Sequence, residues 1–144
     1  MGEDNNMIDI LITESKAGDL HNIEASSAHI YAHLMKFVAV RPISKTWIST
    51  INEQCEQLAG INNASYWREV MNSPIRMEKI KRWALDEYEK GGNKNAEVQF
   101  NIIHNDFYDI TKFKNKDILK NYMLNHLDPI EDQDIIDHIN KQLK

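Results

Sequence analysis

The residues best spaced for chemistry are His29 and His33, four apart in a segment of helical pattern. That interval puts two imidazoles on neighbouring turns of one helix face, where both reach a single metal ion. A catalytic zinc site needs a third protein ligand and an open position. His21 and Glu24 are close in sequence, but their wheel positions diverge from the pair. The intervening Glu of a metalloprotease helix is also missing. A structural role competes with the metal role. The apolar arc is centred near Leu34, with His33 at its margin and His29 on the polar side. In one version the chain is a metal-dependent hydrolase built on His29 and His33. In the other, His33 sits at a helix interface with a hydrogen-bonded ring nitrogen and His29 is solvated.

The remaining reactive groups favour structural roles. Cys55 is the one cysteine, flanked by Glu53 and Glu56, whereas a reactive thiolate needs an electropositive setting. It is expected to be a small core residue, and it cannot form an intrachain disulfide. Asp132, Asp134 and Asp137 cluster without the glycine and terminal Glu of a calcium loop; charge at a helix N-terminus accounts for the first two. Lys112, Lys114, Lys116 and Lys120 lie near Phe107, Tyr108 and Phe113, a mixture able to bind single strands by charge and stacking. A solvated lysine face fits the net charge of −5 better, so no nucleic-acid site is assigned. There is no phosphate loop, no paired-cysteine metal site and no nucleophile elbow. No catalytic residue or cofactor is therefore assigned. Among Trp47, Trp67 and Trp83, the middle one stands out. Tyr66, Trp67 and Arg68 are adjacent on a short helix, and these types anchor protein interfaces. They form the candidate protein-binding patch.

These groups must be carried by helices. Met7 to Ile12 is largely apolar and predicts a first helix over Ile8–Lys16, stopped at Gly18. Asp19 then reads as the N-cap of a second helix running to Val40, ended by Arg41-Pro42. Ser44 caps a third, with Trp47, Ile51, Cys55 and Leu58 as its stripe and Gly60 as a left-handed terminator. Ala64 to Asn72 is a short helix. Ser73-Pro74 opens the clearest one, which Gly91 closes, with Glu78, Arg82, Asp86 and Lys90 as a four-step charged row outside. Glu97 to Tyr108 fits a helix better than a strand. Asn115 starts another helical pattern that ends before Pro129, and Glu131 to Leu143 forms the last helix.

At 144 residues with 42% hydrophobic content, the chain is expected to be one domain with a real core. The segment from 111 to 144 is a candidate C-terminal appendage. Met1 to Asn6 lacks the pattern of a secretion signal, Asn6 stands where myristoylation wants Ser or Thr, and no apolar run has membrane-spanning length. The cytoplasm is the expected location, with no membrane partner.

Several fragments, read in order, resemble a known family. They are Lys16-Ala17-Gly18-Asp19-Leu20, His33-Leu34-Met35-Lys36-Phe37, Trp47 with Thr50-Ile51 and Gln54, Ser73-Pro74, Tyr88, and the tail from Phe107 to Pro129. Together they resemble the bacterial helical family called domain of unknown function twenty-nine, with its HLLKW helix, SWxxTIxxQR helix and SPSL helix start. The likeness covers roughly positions 10 to 129. The chain departs where the family has an acidic pair (only Glu24 here), an Arg after the Gln (Cys55), and SPSL (Ser73-Pro74-Ile75-Arg76). The resemblance implies a compact all-helical bacterial protein and no activity.

The expectation is an all-α bundle of six to seven helices with short connections. Its expected role is that of a non-catalytic intracellular module that binds another protein. A toxin-neutralising immunity protein against a basic nuclease is the alternative within that class, the metal-dependent hydrolase the alternative outside it. The sequence leaves homo-oligomer formation open.

Overall fold

The computed structural model describes the backbone of residues 2–144 and the side chains of residues 15–144. Seven α-helices follow one another: α1 (Gly2–Ala39), α2 (Lys45–Ala59), α3 (Ala64–Met71), α4 (Pro74–Glu89), α5 (Ala96–Phe107), α6 (Lys116–Leu124) and α7 (Gln133–Gln142). A 3-10 turn over Ile110–Lys114 links α5 to α6. Among the described residues there is no strand, so the fold is the expected all-α bundle.

Helix α1 is the organising element. It packs on α2, α3, α4, α5, α6 and the 3-10 turn. The reason lies in its sequence. From Leu20 onward, Ile23, Ser27, Ala28, Ile30, Tyr31, Leu34, Met35 and Phe37 are all buried, so apolar or small residues occupy more than one face. A helix buried on several sides serves as a central post.

The predicted break at Gly18 does not occur. Glycine inside a helix costs roughly 1 kcal/mol relative to alanine. That cost is offset at this point by Leu20 entering the core and by the Lys16–Glu69 ion pair at 3.0 Å. Asp19 is therefore an interior helical residue and not a cap. The predicted segment Ile8–Lys16 is helical in backbone; the side chains of Met7 to Ile12 lie outside the described residues.

Four other starts follow their caps. Ser44 accepts from the Thr46 N–H at 3.3 Å, Asn63 from Ser65 at 3.0 Å, Ser73 from Arg76 at 3.2 Å and Asn115 from Asp117 at 2.9 Å. Each satisfies a backbone donor that a helix start leaves open. Two details differ. Gly60 ends α2 in right-handed conformation (φ −75°), its N–H bonded to the Gln57 carbonyl. The stripe of α2 is Ile48, Ile51, Cys55 and Leu58, with Trp47 one position off and half-buried. Helix α7 begins two residues late because Asp128 first closes a turn, accepting from the Ile130 and Glu131 N–H groups.

The C-terminal segment is no separate body. Phe113, Leu119, Met123, Leu127, Ile139 and Leu143 belong to the same core as α1 and α2. Lys45–Asp134 at 2.9 Å and Lys116–Glu56 at 2.7 Å tie it down outside. Among the described residues, no helix is long and apolar enough to cross a membrane.

Candidate functional site

The α1–α4 contact carries the features with chemical content. Ser73 and Pro74 start α4 so that Arg76 falls in its first turn and Lys79 one turn later. Both reach Glu24 of α1. The Glu24 side chain is 2% exposed, with Arg76 Nη1 donating to Oε1 at 2.7 Å and Lys79 Nζ 3.5 Å from Oε2. Oε2 itself accepts no hydrogen bond. A carboxylate this deep persists only beside opposite charge, and here two cations supply it. The same Lys79 ammonium lies 4.7 Å from the Trp83 ring centroid, and His21 meets that ring edge-on at 5.9 Å. Glu24, Arg76, Lys79 and Trp83 thus form one ladder that fixes α4 on α1.

An open groove of about 580 Å³ lies between the two helices beside Trp83. Ala25 and Ala28 of α1, having only methyl side chains, leave the space. Trp83, Asp86, Glu87, Glu89 and Lys90 of α4 line the other side, with His29 at the edge. Glu87 lies 3.9 Å from Lys36 and 3.8 Å from Lys90. Among the described residues, neither Asp86 nor Glu89 has a cation within 4 Å. The row Glu78, Arg82, Asp86, Lys90 expected from the sequence does not close into ion pairs; Lys90 turns to Glu87 instead.

The histidine pair lies beside this groove. The ring centroids are 6.3 Å apart, and His33 Nδ1 is 2.7 Å from the His29 carbonyl. A neutral ring donates here, so one nitrogen of His33 is engaged by its own helix. Burial, countered by that hydrogen bond, pushes the His33 pKa below its ordinary value. Among the described residues, no three His, Cys, Asp or Glu side chains are grouped so as to hold a metal ion. His33 is buried at the interface and His29 is exposed.

The expected binding patch is not a surface in this fold. Trp67 is 2% exposed, and its Nε1 donates to the Ile61 carbonyl at 2.8 Å. Helix α3 is short, and Trp67 and Val70 are the side chains that it buries in the core. Tyr66 is half-buried and Arg68 exposed, which leaves no contiguous aromatic anchor.

The lysine run is dispersed. Lys112 covers the exposed Tyr108 ring at 3.9 Å, Lys114 lies 5.0 Å from the Trp67 ring, and Lys116 pairs with Glu56. Cys55 is buried, and burial pushes its thiol up to about 11, with Glu56 adding and Lys116 opposing. Asp134 is taken by Lys45 and Asp137 by the Gln133 amide at 2.8 Å.

Sequence reasoning missed two sites. One is the Glu24–Arg76 pair. The two residues are 52 positions apart, and neither segment carries a local signal for the other. The other is Tyr31, wholly buried, whose hydroxyl lies 2.8 Å from His104 Nδ1. Burial, reinforced by Asp109, raises the Tyr31 pKa far above its ordinary value. The raised pKa keeps the hydroxyl protonated at neutral pH. His104 in turn stacks on Phe100 at 5.7 Å.

No protein-family model, no curated protein and no solved structure matches this chain.

Proposed function

We propose that this chain is a non-catalytic module that binds another protein through the α1–α4 groove. The observation that supports this reading is the groove's make-up. It is an open cleft lined by the methyl side chains of Ala25 and Ala28 and the Trp83 indole, with two of its three carboxylates, Asp86 and Glu89, lacking an internal partner among the described residues. Ionised groups left without partners, set beside partly buried apolar surface, suit an interface with an apolar centre and a polar rim. The resemblance to the helical family twenty-nine agrees with a scaffold role and adds no activity. The row of carboxylates also favours a second form of the reading, an immunity protein neutralising a basic nuclease by charge complementarity.

The test is affinity capture from the native cell with the wild-type chain and the Ala25→Trp variant in parallel. Ala25 is half-buried, so a bulky ring there fills the cleft from its edge without entering the core. A partner that binds the wild type, is lost with the variant, and rebinds as purified protein supports the proposal. Melting temperatures of the two chains must agree. A partner list indifferent to the filled cleft overturns it.

A further inference from the structure

We propose that the α1–α4 groove docks a lysine- or arginine-bearing helical segment of the partner. This rests on the reading of the chain as a binding module and deepens it by naming the chemistry of the occupant.

Three features point the same way. The first is charge. The groove carries Asp86, Glu87 and Glu89 against one ammonium, Lys90. Glu87 is shared between Lys36 and Lys90 at 3.9 and 3.8 Å. Asp86 and Glu89 remain for an incoming cation. The second is spacing. Asp86 and Glu89 stand three residues apart on α4, about 4.5 Å along its axis at 1.5 Å per residue. Basic residues three or four apart on a docked helix have the same interval. The third is surface for the apolar stems. Lysine and arginine lay their methylenes along apolar groups while keeping the head in a polar setting. Ala25, Ala28 and Trp83 give such a bed next to the carboxylates. The Trp83 ring already has Lys79 at 4.7 Å, so the indole is used here as a cation neighbour. Nucleic acid is disfavoured by the same charges, which would repel phosphate.

The experiment measures fluorescence anisotropy of a labelled alanine-leucine peptide helix with arginines three and four apart. Its counterpart carries glutamate at those positions. The arginine peptide should bind and the glutamate peptide should not. Asp86→Lys/Glu89→Lys should weaken binding about tenfold or more, as loss of two facing charges implies. Glu53→Lys/Glu131→Lys makes the same change in net charge at exposed sites away from the groove; it should weaken binding less than about twofold. Equal losses in both double variants mean attraction by overall acidity, and they overturn the proposal, as does absence of binding. Light scattering supplies one further outcome. A wild-type dimer dispersed by Asp86→Lys/Glu89→Lys would make a second copy the occupant and would also overturn it. A natural partner lost with Ala25→Trp but indifferent to Asp86→Lys/Glu89→Lys sinks this inference and leaves the binding module standing. A partner list that ignores all three substitutions sinks both.

Discussion

The Glu24 ladder makes an asymmetric prediction about stability. Glu24 is 2% exposed in its side chain, whereas Arg76 and Lys79 are 34% and 45% exposed. The carboxylate cannot reach water when a partner is removed; the cations can. Arg76→Met strips the 2.7 Å hydrogen bond from Oε1 and leaves Lys79 at 3.5 Å as the remaining countercharge. Breaking a buried pair in this way costs about 3–5 kcal/mol, and the surviving lysine puts the expected loss at about 3. Glu24→Gln removes the buried charge and keeps the shape. Both cations then turn outward, and the net loss is that of one hydrogen bond, about 1 kcal/mol. For a chain of this size, each 1 kcal/mol lowers the melting temperature by about 3–4 °C. Calorimetry at neutral pH should therefore show drops of about 10 °C for Arg76→Met and about 3–4 °C for Glu24→Gln. In the Glu24→Gln background, adding Arg76→Met should cost about 1 kcal/mol or less, because no buried carboxylate is left to strand. Equal effects of the two single variants, or simple additivity in the double, would refute the argument that burial of Glu24 decides the energetics.

Further predictions concern single groups. Trp67→Phe keeps most of the apolar contact but strands the Ile61 carbonyl; chemical denaturation should show a loss of about 1–3 kcal/mol. Phe113→Ala opens a cavity in the shared core and should cost about 3–5 kcal/mol in one cooperative transition; a separate early transition for the C-terminal segment would contradict the single core. Burial holds the His33 pKa below its ordinary 6.5, so as pH falls through that value the unfolded chain takes up the proton first and the folded state loses stability. The fall in melting temperature on going from above to below that pH should be smaller in His33→Gln than in wild type. Cys55, with its thiol pushed up to about 11, should resist a thiol-reactive dye in native buffer and label rapidly in guanidinium. Fast native labelling would show that the α2 stripe is more open than described.

Four helix starts were legible because their signals are local. Ser44, Asn63, Ser73 and Asn115 each lie two or three residues from the N–H they accept, and no tertiary contact is needed to read them. Helix ends and breaks were harder. Gly18 carries a propensity of the right sign, yet the docking of Leu20 and its neighbours against other helices outweighs it, and that docking is not local. Trp47 and Ile48 show the limit of periodicity: one position separates the half-buried residue from the buried one, and only the packing of α2 on α1 decides. The site was less legible than the fold. Glu24 and Arg76 are 52 residues apart, and nothing in either segment announces the other. The groove is shaped by alanines, which look inert in a sequence. Trp67 was read from its neighbours' chemistry, whereas its fate was set by the docking of a short helix on the core.

The position of α1 as shared partner has a consequence for how the protein is made. This helix leaves the ribosome before the helices that cover it, so its successive faces are covered only as α2, α4 and then α5 emerge. Until about Phe107 has been synthesised, Tyr31 has neither Phe100 nor His104 to meet, and part of the post stays bare. The nascent polypeptide therefore cannot mature in instalments. It must wait until α5 is available to close around the strut.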